Sequence, residues 1–271
     1  MDDELKAKIV NKFVFTEQQQ TTFGNNEFAI AAIIKFFNEV YYDKNKQLID
    51  NFDKLSDYND NFKIFESDKI GSNYMANFKA LTVNRKDDNY VISHELGHAI
   101  LNLVDNTTLP PNFQDVLIGA KNRALKIDNL SINLNGKQIN NCRLRTILEY
   151  ICNKDNVMED IGPFSDIISS MWQTHGFPTA DGKKLILPYF HTQKYYTDEI
   201  SNGTNVINYQ RVYDEQFANF FTLYTNNRKE TLFVLKELFG DEWYSLMENK
   251  VIELENNIAL KKDNDLKTTS L

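Results

Sequence analysis

The chain has 271 residues, of which 42% are hydrophobic and 25% are charged, so its composition is that of a globular protein able to bury a core. Its 30 basic and 38 acidic side chains give a formal charge of −8, which argues against a nucleic acid or an anionic membrane as the partner. The longest apolar run, residues 28–37, is too short to span a bilayer. The acidic start Met1-Asp2-Asp3-Glu4 is unlike a signal peptide, so we expect no general secretory export.

No internal repeat and no linker rich in proline, glycine or serine divides the chain, which favours a single domain over 1–260 and a flexible polar tail over 261–271. Cys142 and Cys152 lie ten positions apart in a stretch that favours helix. Ten helical residues span about 15 Å, beyond the reach of a disulfide bond. We therefore expect both thiols to be reduced.

In the first part of the chain, apolar residues spaced by three and four predict a long buried helix over 26–50. Short apolar runs at 62–65 and 76–83 predict strands. The segment 87–89 supplies capping residues for a helix that runs to about Leu103.

Further along, Asn135-Gly136 between alternating apolar residues predicts a β-hairpin, because this dipeptide adopts the positive φ values of a type I′ turn. Residues 173–206 favour loop structure. Helices are predicted at 144–152, 164–172, 212–224, 230–239 and 243–260.

One stretch carries recognisable chemistry: His94-Glu95-Leu96-Gly97-His98, inside the helix that begins near residue 89. Positions i and i+4 point to one face of a helix, so both imidazoles can bind one zinc ion. Zinc lowers the pKa of a bound water, and the adjacent glutamate can accept its proton as the water attacks a carbonyl. The spacing therefore predicts metal-assisted hydrolysis.

The alternative is an ordinary helix whose two histidines are surface or core residues. Two buried histidines beside a buried glutamate would be costly without a metal or a proton partner. Gly97 lowers helix propensity, which a close backbone approach such as a passing edge strand would explain. Metal binding is favoured because apolar positions surround the motif: Val91, Ile92, Leu96, Ala99, Ile100 and Leu103.

A catalytic zinc needs a third protein ligand, and acids on later helices are the main candidates. Glu215 is favoured because Ala218, Asn219 and Thr222 follow it at helical spacing and form a narrow stripe that allows close helix packing. Glu149 is the main rival and could instead hydrogen-bond a ligand imidazole. The remaining candidates are Glu159, Asp160, Asp166 and Asp214, with His175 and His191 less favoured.

The motif from His94 to His98, followed by Glu215-x-Phe217-Ala218-x-x-Phe221, resembles the zincin-like (gluzincin) metallopeptidase domains. This family includes the catalytic domain of anthrax lethal factor and zincin-like domains attached to phage head-morphogenesis proteins and bacterial toxins. The resemblance covers about 78–239, and residues 159–170 and 191–196 are similar to the stretch between the two zinc motifs of the phage-associated domains.

The resemblance implies an α+β zincin-like fold and a zinc (Zn²⁺) site formed by His94, His98 and Glu215, with Glu95 as the catalytic base. It also implies an oxyanion-binding tyrosine shortly before the third ligand. Glu215 lies 117 positions after His98, longer than in the lethal-factor arrangement, with insertions near 105–142 and 173–206. Tyr209 is the nearest match for the tyrosine, and the role could also fall to Tyr213, Tyr196 or His191.

The expected function is that of a zinc-dependent endopeptidase acting on a protein or peptide substrate. An extended substrate could pair with an edge strand near Ala76–Val83. The other hypothesis is a phage virion- or toxin-associated structural protein that keeps a zincin scaffold and binds partner proteins. Glu95 favours the enzyme hypothesis, because a scaffold protein has no use for this glutamate. The expected location is cytoplasmic or virion-associated.

Overall fold

In the structure, a computed structural model, short apolar runs in the first third of the chain form a small mixed sheet. The structure describes residues 13–14, 62–67, 71–84, 87, 89–134, 136–153, 160–174, 176–178, 183–187, 193–200 and 203–268. The described strands of the sheet have the order β1-β2-β4-β3; β2 is parallel to β1 and β4, and β3 is antiparallel to β4. Their bounds are β1 (Phe13–Val14), β2 (Lys63–Ser67), β3 (Asn73–Met75) and β4 (Ala80–Asn84).

Strand β3, at the edge of this sheet, lies earlier in the chain than the segment 76–83, where the edge strand was predicted. Residues Ala76–Phe78 form a short 3₁₀ helix, and Lys79 follows it with a φ of 49°. This left-handed residue lets the chain reverse, so that β3 folds back along β4 with Met75 opposite Ala80. Among the described strands, β3 therefore lies at one edge of the sheet and β4 is internal.

The predicted helix after residue 87 is confirmed as α1 (Asn89–Asp105), which packs against β3 and β4. Its buried side chains recur at spacings of three and four, as expected for a helix with one face on a sheet. Tyr74 of β3 donates a hydrogen bond from its hydroxyl to Asn102 Oδ1 of α1 at 2.8 Å. The buried residues that define this face are Ile92, Leu96, Ala99 and Ile100.

From residue 107 onward, the described elements are mainly helices and two-stranded hairpins. The helices are α2 (Phe113–Lys126), α3 (Leu144–Cys152), α4 (Ile161–Trp172), α5 (Tyr209–Thr225), α6 (Lys229–Phe239) and α7 (Asp241–Thr268). The strands are β5 (Leu130–Leu134), β6 (Lys137–Cys142), β7 (Gly176–Pro178), β8 (Lys184–Ile186), β9 (Thr197–Glu199) and β10 (Asn205–Ile207).

The predicted hairpin is confirmed: β5 and β6 pair antiparallel, with Leu134 opposite Lys137, and Gly136 has a φ of 73°. The predicted helices from residue 144 onward are also present, with shifted ends. The segment 173–206, predicted as loop, contains the short hairpins β7–β8 and β9–β10 and a 3₁₀ helix, Gln193–Tyr196. Helix α2 has no counterpart among the predicted elements, although its buried residues have helical spacing: Phe113, Val116, Leu117, Ala120 and Ala124.

The chain divides into two compact units, one comprising 1–106 and 252–271 and the other 107–251. In the second unit α5 packs against α4 and α6, and α6 packs against α2. Aromatic side chains fill its core, and the buried Trp243 donates its indole N–H to Gln216 Oε1 at 2.8 Å. Single-domain organisation over 1–260 stays a prediction.

The described residues belong to the α+β class. The predicted helix over 26–50 lies outside them. Helix α7 continues past residue 260 to Thr268, and flexibility of the 261–271 tail stays a prediction. Among the described helices, none has an apolar stretch long enough to cross a membrane.

Both cysteines are free thiols, as expected. Cys142 ends β6, where burial raises the pKa of its thiol. Cys152 ends α3, where burial raises the pKa of its thiol to about 11. Few thiolates form at neutral pH in either place, so both side chains act as small apolar groups.

A glycine between α6 and α7 allows a sensitive test of this packing. Gly240 has φ 89° and ψ 167°, a conformation almost restricted to glycine, and a Cβ there would meet Arg123 Cδ at 2.9 Å. Gly240→Ala should lower the free energy of unfolding by about 1–3 kcal/mol in urea denaturation followed by circular dichroism.

The matched control is Gly119→Ala on α2. A Cβ at Gly119 has nothing within 4 Å, and the position is an exposed helix interior. This change should raise the free energy of unfolding by up to about 1 kcal/mol, because alanine favours helix. Equal unfolding midpoints for Gly240→Ala and the parent protein would contradict the backbone conformation and the close approach of Arg123 described for Gly240.

Candidate metal centre

The two histidines of the motif converge on one point. Because the apolar face of α1 lies on the sheet, the rotation of the helix is fixed, and both imidazoles are half-buried on another face. His94 Nε2 and His98 Nε2 are 3.1 Å apart. Their ring centroids are 4.6 Å apart and the rings are nearly perpendicular, at 88°. Two nitrogen lone pairs can therefore be directed at a single ion or a shared proton.

The glutamate between the histidines is held by the edge strand. Glu95 Oε2 accepts a hydrogen bond from the backbone N–H of Tyr74 at 2.7 Å. Glu95 and Asn102 are seven positions apart on α1, about two helical turns, so they lie on the same face of the helix. Glu95 accepts from the backbone N–H of Tyr74, and Asn102 accepts from the Tyr74 hydroxyl. Burial also raises the pKa of the Tyr74 phenol, which keeps it protonated. The Glu95 carboxylate therefore has a defined orientation beside β3.

The favoured third ligand, Glu215, lies on α5. Asn208 caps this helix by accepting a hydrogen bond from the backbone N–H of Arg211 at 3.0 Å. Glu215 follows in the second turn and is only 1% exposed. Its Oε1 accepts a hydrogen bond from the Tyr195 hydroxyl at 2.6 Å. A buried carboxylate is thus presented from a rigid helix.

The narrow stripe predicted beside Glu215 has a simple structural basis. Asn219 Nδ2 donates to the Glu215 carbonyl at 2.9 Å, and Thr222 Oγ1 donates to the Ala218 carbonyl at 2.8 Å. Both polar side chains are turned back onto the backbone of their own helix, where their hydrogen bonds are satisfied. The side chains therefore project little from this face of α5, in agreement with the narrow stripe predicted from the residue types.

Three of the residues selected from the sequence form a group that could hold a metal ion. His94, His98 and Glu215 each offer one ligand atom, and these atoms all lie within 4.8 Å of one another. Two imidazole nitrogens and one carboxylate oxygen are suitable donors for a divalent transition metal.

The rival acids that the structure describes are engaged elsewhere. Glu149 is half-exposed and forms an ion pair with Arg145 at 2.8 Å, one turn before it on α3. Asp160 is buried against Arg228, with Nε to Oδ2 at 3.1 Å. The other described acids accept side-chain hydrogen bonds from their own helices: Asp166 from Ser169 at 3.4 Å and Asp214 from Gln210 at 2.8 Å. Glu159, His175 and His191 lie outside the described residues.

The tyrosine that reaches Glu215 is Tyr195, which was not selected from the sequence for this role. Tyr209, the selected residue, is the half-buried first residue of α5, and its oxyanion role stays a prediction. Tyr213 is buried against Phe113, with ring centroids 5.1 Å apart. The sequence carries no signal for this contact, because no spacing rule links residues 20 positions apart across a 3₁₀ helix and a hairpin.

Comparisons with protein-family models, with curated proteins and with solved structures found no match. A function must therefore be inferred from the side chains themselves.

Metal binding can be tested by removing single ligands. Glu215→Gln replaces the anionic oxygen by a neutral amide, so it should weaken binding of divalent zinc or cobalt by more than about 100-fold, beyond the usual effect of losing a group that only supports a ligand. Affinity would be measured by competition with a chromophoric chelator.

Glu149→Gln is the control with the same chemical change at the rival position. Because that carboxylate pairs with Arg145 at the surface, metal affinity should stay at the parent value. If the two variants behaved in the opposite way, the ligand would be Glu149.

Proposed function

We propose that this protein is a zinc-dependent endopeptidase with a zincin-like fold, in which His94, His98 and Glu215 hold the metal and Glu95 is the catalytic base. The observation that carries the proposal is the grouping of these three ligand atoms within 4.8 Å. Glu95 directly follows one ligand in the chain, so the complete set needed for hydrolysis is available.

The residues fit a zinc ion in type and in spacing. Zn–N bonds of about 2.0–2.1 Å in a tetrahedral site separate two ligand nitrogens by about 3.3 Å. The 3.1 Å between the Nε2 atoms of His94 and His98 is close to this value. A hydrogen bond between two neutral imidazoles would explain the same distance, but it would supply no positive charge.

Glu215 favours the cation over that alternative. A carboxylate that is 1% exposed needs a compensating charge as well as hydrogen bonds. Tyr195 donates a hydrogen bond to it but is neutral. A divalent cation shared with the imidazoles would supply the charge.

When bound, zinc would supply Lewis acidity that makes water nucleophilic near neutral pH and stabilises negative charge on the substrate oxygen. Glu95 would accept the proton of the attacking water and pass it to the leaving amine. Its hydrogen bond from Tyr74 occupies Oε2, so Oε1 is the oxygen better placed for this proton. His94 and His98 would act as neutral imidazole ligands.

The edge strand supports a peptide as the substrate. β3 is the last described strand of its sheet and lies against α1, which carries the motif. An extended peptide can add to such an edge through backbone groups other than the Tyr74 N–H, which is donated to Glu95. The backbone bond from Tyr74 to Glu95 would then link the substrate-binding strand directly to the catalytic base.

The experiment that tests the proposal is Glu95→Gln. An amide oxygen can still accept from the Tyr74 N–H, so the fold and the position of β3 should be kept while the base is lost. Cleavage of a diverse peptide library by the zinc-loaded protein, read by mass spectrometry, should fall by about 10²–10⁴-fold or below detection.

Zinc content and thermal unfolding of this variant should match the parent, and Glu149→Gln should cleave normally. Equal cleavage by parent and Glu95→Gln would overturn the mechanism. Stoichiometric zinc without turnover of any peptide in the library would instead favour the scaffold hypothesis, in which the protein serves virion or toxin partners.

A further inference from the structure

Tyr195 and Glu215 form a short contact between an exposed and a buried group. The hydroxyl of Tyr195 lies 2.6 Å from Glu215 Oε1, and Tyr195 is 36% exposed whereas Glu215 is 1% exposed. Hydrogen bonds from a neutral hydroxyl to a carboxylate are among the stronger ones, and a length near 2.6 Å is typical of them. Tyr195 therefore restrains a carboxylate that solvent does not reach.

The backbone of Tyr195 is itself anchored to the start of α5. Arg211 Nη1 donates to the Tyr195 carbonyl at 3.1 Å and pairs with Asp198 Oδ1 at 3.1 Å. Asn208, the capping residue of α5, donates from Nδ2 to Asp198 Oδ2 at 2.6 Å. The residue that contacts Glu215 and the helix that carries Glu215 are thus joined at a second place.

The neighbouring tyrosine fixes the same segment from the inside. Tyr196 is fully buried, its ring packs edge-on against Tyr195 with centroids 5.2 Å apart, and its carbonyl accepts from Asn208 N at 2.8 Å. Its hydroxyl lies 3.5 Å from Ser169 Oγ of α4. The 3₁₀ helix Gln193–Tyr196 is therefore held between α4 and the start of α5, and Tyr195 has little freedom to leave Glu215.

We propose that Tyr195 is a positioning residue for the metal ligand Glu215, holding its carboxylate in the orientation that binds the ion. This inference rests on the proposed function, because it requires Glu215 to be a zinc ligand. A carboxylate that rotates freely spends part of its time in orientations that do not bind the ion, which lowers the metal affinity. A hydrogen bond that fixes one carboxylate oxygen keeps the group in the binding orientation. Groups that orient ligands in this way typically contribute about 10–100-fold to metal affinity.

The test compares Tyr195→Phe with Tyr150→Phe in the full-length protein. Tyr195→Phe removes the hydroxyl and keeps the ring beside Tyr196. Tyr150→Phe makes the same change at a hydroxyl that donates to the Leu134 carbonyl at 3.3 Å, on the β5–β6 hairpin. Zinc affinity would be measured by chelator competition, and the visible absorption of the Co²⁺-substituted proteins would report ligand geometry.

Tyr195→Phe should bind zinc at least about 10-fold more weakly than the parent and should show a changed cobalt spectrum, whereas Tyr150→Phe should match the parent in both. Equal zinc affinity and an unchanged spectrum for Tyr195→Phe would overturn the positioning role and leave the proposed function intact. A parallel loss in both variants would also overturn it, since the effect would be general. A parent protein that binds no zinc would overturn both proposals.

Arg211→Ala tests the anchor separately. It removes the contacts to the Tyr195 carbonyl and to Asp198 while the tyrosine hydroxyl remains. Zinc affinity should fall in the same direction as in Tyr195→Phe, but by less. Parent-like affinity would show that Tyr195 holds Glu215 without help from this network.

Discussion

The buried carboxylate of Glu215 is the group on which the rest of the candidate site depends. An ionised side chain that is almost fully shielded from water is destabilising unless hydrogen bonds and an opposite charge compensate it. The Tyr195 hydroxyl supplies one hydrogen bond, and two imidazoles complete a group of donor atoms suited to a cation. In the proposed zinc site, the cation would supply that opposite charge.

The orientation of the Glu95 carboxylate is fixed in a different way. Glu95 is half-buried and receives a backbone N–H from Tyr74, so its orientation depends on the edge strand and not on another side chain. A backbone donor cannot be lost by substitution of its side chain, and β3 is further fixed by the hydroxyl bond from Tyr74 to Asn102. The Glu95 carboxylate is therefore as rigid as the contact between α1 and the sheet.

The parts predicted well from the sequence are those with local causes. The helix of the motif, the Asn135-Gly136 hairpin and helix α3 follow from periodicity, capping and turn chemistry within about a dozen residues. The edge strand was misplaced because one left-handed residue, Lys79, reverses the chain inside an apolar run that has no glycine or proline to mark the turn. Glu215 could be selected because its helix carries a distinctive stripe of small and polar residues.

Tyr195 could not be selected, because its contact with Glu215 depends on how a 3₁₀ helix and a hairpin fold back on α5. The capping residue Asn208 shows how such a contact is encoded without a motif. Its side chain accepts from the Arg211 backbone to begin the helix and donates to Asp198 of the preceding hairpin. One residue thus sets both the start of α5 and the place of the segment that carries Tyr195.

The long separation between the second histidine and Glu215 also has a structural explanation. The intervening chain is not an extended loop: it contains α2, the β5–β6 hairpin, α3 and α4, and α4 packs directly on α5. Helices α4 and α6 pack on α5, and the side chains of Phe217, Phe220 and Phe221 are buried, which fixes the rotation of α5 about its axis. Glu215 keeps its direction because the opposite faces of α5 are committed to this core. The extra length therefore supports the carboxylate, and its cost in loop closure is small compared with the apolar burial it provides.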